Sequence, residues 1–322
     1  MSKQSASSAQ ERILIIKLSA LGDFVQALGP FQAIRKHHPD AHITLVTTKP
    51  YKELAEKSGW FDRVVPDGKA QLREIKRIWR LRKFLINGRF DMVYDLQTSD
   101  RSSLYYHLMW PHKPQWSGIA KGCSHPHANP RRDFMHTIER QREQLEMAEI
   151  TDVPPPDLAW MDADISHLQL DDTFALLIPG GAPHRPDKRW PGDHYGTIAK
   201  RLTAAGIQPV ILGTASEADE AAEILATCPE AKSLIGKTSL FEIAVLARRA
   251  ALALGNDTGP MHMAAAAGCP SLALYSKASD PALCGQRGPN VVIERTDTLD
   301  QLPPDRVWSL LTAFLEKEAS AS

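Results

Sequence analysis

The sequence predicts an α/β protein built as two doubly wound parallel sheets, and three observations carry that expectation. Short apolar runs alternate with helical, charged segments along the 322 residues. Several of these runs end in a glycine turn that opens a helix. A proline-rich stretch near the middle divides the series in two.

The elements follow in order. Ile13 to Leu18 reads as a buried strand, ending in Ser19-Ala20-Leu21-Gly22-Asp23. Phe24, Leu28, Phe31 and Ile34 recur at helical spacing, and Pro39 closes that helix. His42 to Thr48 and Met92 to Leu96 read as the next strands. Thr151 to Asp157, with Pro154, Pro155 and Pro156, reads as the segment between domains. A second series then opens with Phe174 to Ile178 ahead of Pro179-Gly180-Gly181. Pro209 to Leu212 precedes Gly213, Ala250 to Leu254 precedes Gly255, and Ser271 to Tyr275 follows. The expected division is a disordered tail over residues 1–11, a first domain over 12–155, a linker over 156–172 and a second domain over 173–322. Packing of the last helix back on the first domain is left open. Two such halves facing a central cleft is the simplest architecture, with ligands beyond the carboxyl ends of the strands.

Bulk composition narrows the function. The chain has 38 Lys+Arg and 38 Asp+Glu, so no global field draws it to nucleic acid. No apolar run reaches the roughly 18 residues of a membrane span, and the first eleven residues lack the apolar core of a signal peptide. Four cysteines stand far apart without a CxxC pair, which fits a reduced cytoplasm and structural thiols.

The richest stretch is Gly255-Asn256-Asp257-Thr258-Gly259-Pro260-Met261-His262, between two apolar runs. A tight turn ahead of a short helix presents unpaired N–H groups to an anion, so a phosphate-bearing ligand is expected here. Thr258 and the N–H groups of Gly259 and Met261 would meet the phosphate; Pro260 has no N–H to offer. Asp257 would either accept sugar hydroxyls or cap the helix. His262 would either donate to phosphate or pack in the core. Gly180-Gly181 with the loop to Lys188-Arg189-Trp190-Pro191 reads as a phosphate-holding loop, with Lys188 the charge on a diphosphate; it is neither a Walker A nor a G-x-G-x-x-G motif. Glu217, beyond Gly213, is either a ribose contact or a first-turn acid favoured by the helix dipole. Asp23, beside Gly22, is either an N-cap or a carboxylate that takes a proton from an incoming hydroxyl. Lys69 to Arg89 holds eight Lys/Arg and one acid, with Leu72, Ile75, Trp79 and Phe84 along one face; it rests on anionic lipid or is a solvated surface helix. Asp162-Ala163-Asp164 and His125-Pro126-His127 are set aside as metal ligands, for want of a nearby glycine turn and of further ligands respectively.

Residues 12–300 resemble the bacterial lipopolysaccharide heptosyltransferases, glycosyltransferase family 9. The resemblance rests on Ile15 to Asp23, Asp187 to Pro191 and Asn256 to Ala265, with lesser support from His136 to Arg140 and Tyr275 to Pro281. It implies the two-domain GT-B fold, with the acceptor on the first domain and a nucleotide-sugar on the second. It also implies an inverting, metal-independent transfer from ADP-heptose, a substrate and not a cofactor, to the lipopolysaccharide inner core. By motif, Asp23 resembles the general base and Lys188 the diphosphate anchor. Glu217 resembles the nucleoside contact, while Asp257, Thr258, Gly259 and His262 resemble the donor pocket together with Gly181. Gly22, Arg101 and Arg140 are taken as acceptor contacts, since an acidic sugar wants converging cations. The expected location is the cytoplasm, with peripheral contact at the inner membrane left open. Three alternatives stay open: a relative using another nucleotide-sugar or acceptor, a non-catalytic nucleotide-sugar binder, and a nicotinamide-dependent dehydrogenase. The missing G-x-G-x-x-G counts against the dehydrogenase.

Overall fold

A computed structural model of the protein describes residues 10–67, 74–181 and 186–321. The chain divides into two compact units between Pro155 and Pro156.

The first unit runs β1 (Arg12–Ile16), α1 (Leu21–Val25), α2 (Leu28–His37), β2 (His42–Thr47), α3 (Lys52–Lys57), β3 (Arg63–Pro66), α4 (Ile75–Asn87), β4 (Met92–Asp95), α5 (Asp100–Leu108), β5 (Gln115–Gly118), β6 (His125–Pro126) and α6 (Thr137–Glu146). The second runs β7 (Phe174–Ile178), α7 (Gly192–Ala204), β8 (Gln208–Ile211), α8 (Ala218–Thr227), β9 (Lys232–Ser233), α9 (Leu240–Arg249), β10 (Leu252–Asn256), α10 (Gly259–Ala266), β11 (Ser271–Tyr275), α11 (Pro281–Cys284), β12 (Val291–Arg295) and α12 (Pro304–Ala321).

All strand pairings are parallel, in the orders β3-β2-β1-β4-β5-β6 and β12-β11-β10-β7-β8-β9. Counted from its own first strand, each sheet has the doubly wound order 3-2-1-4-5-6. The winding reverses between β1 and β4 in one unit and between β7 and β10 in the other. A crevice opens at such a reversal, beyond the carboxyl ends of the two strands. The central strands are apolar throughout because both faces are covered: Ile13 to Ile16 and Phe174 to Leu177 are fully buried.

Several expectations are corrected. The helix expected through Phe24 and Ile34 is two helices, broken at Gln26 and Ala27. Pro30 has no N–H for the Gln26 carbonyl and its ring crowds that carbonyl, so one continuous helix cannot pass. The tail does not extend through residue 11. The Glu11 carbonyl accepts from His42 N at 2.8 Å and its carboxylate meets His38 at 2.9 Å, while Gln10 bonds the Asp40 carbonyl. Residues 1–9 lie outside the described residues. The expected linker packs as part of the second unit: Leu158, Met161, Ile165 and Leu168 are buried, and Arg248 bonds the Leu158 and Met161 carbonyls at 2.8 and 2.5 Å. The last helix, α12, supplies Val307, Leu311 and Phe314 to the core of the second unit, beside Trp190. In the basic segment, residues 69–73 lie outside the described residues. Ile75 and Trp79 do not share a face with Phe84, which packs inward while they are exposed.

Candidate active site

Each winding reversal carries a polar cluster. In the first unit, Lys17 follows β1 and lies buried, its Nζ donating to the Leu96 carbonyl at 3.1 Å across the reversal. Gln97 Oε1 accepts from Leu18 N at 2.7 Å, which stitches the two loops together. Asp95 closes β4. Its Oδ1 accepts from the backbone N–H groups of Gln97 and Thr98 at 3.1 and 2.9 Å. Burial pushes the Asp95 carboxyl up to about 6, against these hydrogen bonds and the Lys17 charge. Burial likewise pulls the Lys17 ammonium down, opposed by the carboxylates of Asp23 and Asp95.

A cavity of about 50 Å³ opens over this cluster, lined by Lys17, Asp23, Thr137, Arg140, Gln141 and Gln144 together with Leu96, Gln97 and Thr98. Asp23 is the third residue of α1. It is not the N-cap, which is Ala20; from N3 its Oδ2 accepts from Ala20 N at 2.9 Å and so helps hold the helix start, and the side chain remains half-buried on the cavity wall. Both polar atoms of the Gln141 side chain and Gln144 Oε1, on two residues that line the cavity, are buried with no hydrogen-bond partner among the described residues. Buried polar atoms are normally satisfied, so these mark a surface shaped for polar ligand groups. Arg140 belongs to this cavity. Arg101 does not line it: Arg101 lies against the Tyr105 hydroxyl, which is hydrogen-bonded to Asp67. Gly22 is buried within α1 directly before Asp23.

In the second unit, Lys188 and Asp257 join the loops after β7 and β10, with Nζ 2.7 Å from Oδ2. Asp257 also accepts from the Tyr275 hydroxyl at 2.9 Å and the Ser279 hydroxyl at 2.6 Å. Burial alone would raise its carboxyl, but these bonds and the Lys188 charge outweigh it and hold the group below the usual carboxylate range. His262 Nε2 stands 3.9 Å from Asp257 Oδ1. Thr258 is the extended N-cap of α10, and its hydroxyl is buried without a partner among the described residues; Gly259 opens the helix. Asp257 is thus electrically compensated, and the helix start keeps its affinity for an anion.

Asn256 locks this geometry. Fully buried, its Oδ1 accepts from Trp190 N and the Tyr195 hydroxyl, both at 3.1 Å, while its Nδ2 donates to the Pro179 and Gly180 carbonyls at 2.7 and 3.1 Å. Gly181 bonds Arg189 through its carbonyl at 2.8 Å, and residues 182–185 of that loop lie outside the described residues. Glu217 serves its own turn: Oε2 accepts from Thr214 N at 2.8 Å and from the Thr214 hydroxyl, Oε1 from Ser216. It also walls Gly180, where an added Cβ would stand 3.2 Å from its Cγ.

The structure brings Asp23 together with Arg140, and Lys188 with Asp257, Thr258, Gly259 and His262. The sequence reading missed Lys17, Asp95, Gln141 and Gln144 in the first unit, and Tyr275 and Ser279 in the second as partners of Asp257. A carboxylate closing a strand otherwise buried on both faces, as Asp95 does, was the available clue. The aspartates of the 162–164 stretch are exposed and bond Ala163 N, Ser166 N and the Ser166 hydroxyl.

Residues 78–303 match the sequence model of glycosyltransferase family 9 (heptosyltransferase). The chain is 27% identical over 293 residues to lipopolysaccharide heptosyltransferase 2 of Escherichia coli K12, covering 83% of each. It is 24% identical over 329 residues to lipopolysaccharide heptosyltransferase 1 of Escherichia coli O18:K1:H7, covering 96% of this chain and 99% of that one. Among solved structures, the fold is shared with E. coli ADP-heptose lps heptosyltransferase II, at a TM-score of 0.77 and 24% identity over 96% of this chain and 99% of that one. It is also shared with the glycosyl transferase family 9 protein of Veillonella parvula, at a TM-score of 0.81 and 21% identity over 95% and 97%.

Proposed function

Because the chain belongs to glycosyltransferase family 9, we propose that this glycosyltransferase moves a heptose from ADP-heptose to an acidic sugar of the lipopolysaccharide inner core, with inversion. The second unit holds the nucleotide-sugar and the first holds the acceptor. The observation that carries the reading is the Lys188–Asp257 pair beside the orphaned Thr258 hydroxyl at the start of α10.

An ammonium has three donors. Among the described residues Asp257 alone occupies one and fixes the direction of the side chain, and the other two are offered to the diphosphate. The Thr258 hydroxyl and the first N–H groups of α10 add further donors, so charge growing on the leaving group meets dipoles that are already oriented. In the first unit, Lys17 and Arg140 suit an acidic acceptor, and Gln141 suits its hydroxyls. Asp23 takes the proton of the attacking hydroxyl as that oxygen bonds the anomeric carbon. The bond from that carbon to the diphosphate breaks on the opposite face, and ADP leaves with the electron pair. The names of the relatives support heptose and lipopolysaccharide as substrate classes. The reading includes a cytoplasmic location with peripheral contact at the inner membrane; no described helix is long and apolar enough to cross a bilayer.

The test is incubation with ADP-heptose and a truncated inner-core acceptor, reading product mass and ADP release. A product one heptosyl group heavier, formed with inverted configuration, is expected. Binding of ADP-heptose without any transfer to core acceptors would reject the enzyme reading, and transfer from a different nucleotide-sugar alone would reject the donor.

A further inference from the structure

We infer that α4 and the chain just beyond α5 form the surface that docks this protein on an anionic phospholipid bilayer, with lipid phosphates seated in a cation-lined cavity beneath α4. The inference gives residues to the membrane contact included in the proposed function and rests on that part of it.

Three observations converge on this face. The first is apolar exposure where packing does not require it. α4 buries its inner side through Leu81, Phe84 and Leu85 in the core of the first unit. Its outer side nevertheless carries Ile75, 73% exposed, and Trp79, 64% exposed. Trp110, 67% exposed, lies alongside, because Arg82 of α4 donates to the Trp110 carbonyl at 3.1 Å. A single exposed apolar side chain is ordinary, whereas two indoles and an isoleucine on adjoining elements make a patch. Indoles suit the headgroup level of a bilayer, where the ring is apolar and its N–H stays wet.

The second observation is charge. Between Ile75 and Asn87 stand Lys76, Arg77, Arg80, Arg82 and Lys83, with no acid, in a chain whose formal net charge is +0. Lys76, Arg80 and Lys83 are exposed around Trp79. Helical spacing puts Ile75, Trp79 and Lys83 in one row, with Lys76 and Arg80 beside it. An apolar row bordered by cations is the pattern of a helix lying in an anionic interface.

The third is a cavity of about 340 Å³ under the same helix. Arg12, Arg63, Arg80 and Lys83 line it, and no carboxylate does among the described residues. Two of these cations are pre-set: Arg12 Nε donates to the Gly88 carbonyl at 2.6 Å, and the Arg63 guanidinium lies 5.6 Å from the centre of the Phe84 ring. Four cations lining one cavity match a phosphate bearing a full negative charge. A nucleic acid would also meet the cations, but the isoleucine in the row beside Trp79 favours acyl chains over bases.

The experiment is flotation of the full-length protein with vesicles of phosphatidylglycerol and phosphatidylethanolamine, against vesicles of phosphatidylcholine. Binding to the anionic vesicles is expected, weakening as salt rises. Trp79→Ala should cut the partition coefficient by about tenfold or more. Arg80→Ala with Lys83→Ala should cut it by about fivefold for each cation removed. Each variant should keep the wild-type melting temperature and ADP-heptose affinity. Equal binding to both vesicle types, or variants that float like wild type, would overturn the surface. So would binding that inorganic phosphate or RNA abolishes while Trp79→Ala leaves it unchanged, which would mark the cavity as a site for soluble anions or nucleic acid. Calorimetry with ADP-heptose on the same samples separates the two levels: vesicle binding without ADP-heptose binding removes ADP-heptose as the donor and leaves the docking surface standing.

Discussion

Lys188 Nζ lies 2.7 Å from Asp257 Oδ2, and that single contact ties the loop after β7 to the loop after β10 across the winding reversal of the second unit. A carboxylate beside a diphosphate site would ordinarily repel its ligand. Here it is neutralised from three directions by Lys188, Tyr275 and Ser279, and it becomes the group that aims the ammonium.

Lys188→Ala should therefore weaken ADP-heptose binding by roughly 10- to 100-fold, the range for loss of a charge-assisted hydrogen bond, and slow turnover as well. Titration calorimetry and steady-state kinetics check both. Unchanged donor affinity would remove Lys188 from the diphosphate site.

Asp23→Asn separates capping from catalysis. Asparagine retains a side-chain oxygen for Ala20 N, which Asp23 Oδ2 now accepts at 2.9 Å, so the helix start should hold. It cannot take a proton, so turnover should fall by about 10²–10⁴-fold with donor affinity preserved. Near-wild-type turnover would make Asp23 a cap and nothing more.

Asn256→Ala should cost about 3 kcal/mol of stability, since it leaves Trp190 N, the Tyr195 hydroxyl and two carbonyls without their buried partner. Urea denaturation measures the loss. Donor affinity should fall with it, because Asn256 holds both the Gly180 carbonyl and the residue after Arg189 in place.

Asp95 gives a pH test. Its carboxyl is raised to about 6 by burial, above its unfolded value of 3.8. The folded chain therefore binds this proton more tightly than the unfolded chain does. Its contribution to stability is fully present below the unfolded value and is lost as pH rises toward 6, by roughly 3 kcal/mol in all. Relative to wild type, Asp95→Asn should flatten the fall in stability between about pH 4 and pH 6. Parallel slopes for the two proteins in denaturant titrations across that range would refute the assignment.

The fold was legible wherever a strand is apolar on both faces. Phe174–Ile178 and Ser271–Tyr275 end where the pattern ends. β3, β9 and β12 lie toward the sheet edges, and β6 and β9 have two residues each, so no continuous apolar run announces them. The second unit's cluster was readable because its residues are near neighbours in the motif at Asn256 to His262, with Lys188 marked by its loop. The first unit's cluster was not, because Lys17, Asp95 and Gln141 come from three separated elements and meet through packing alone. Arg101 and Arg140 looked equivalent as sequence; one helix turns its cation toward Tyr105, the other toward the Asp23 cavity.

Both clusters straddle joints between distant parts of the chain. Lys17 meets Leu96 across 79 positions of chain, Asn256 meets Pro179 across 77 and Lys188 meets Asp257 across 69. Contacts of such span form after local helices and turns, since the intervening chain must first be ordered. A half-assembled unit therefore offers its substrate no foothold, and a bound substrate acts as a clasp on the joint that knits last. Substrate will accordingly protect each unit against proteases, with the logarithm of its free concentration once that exceeds the dissociation constant.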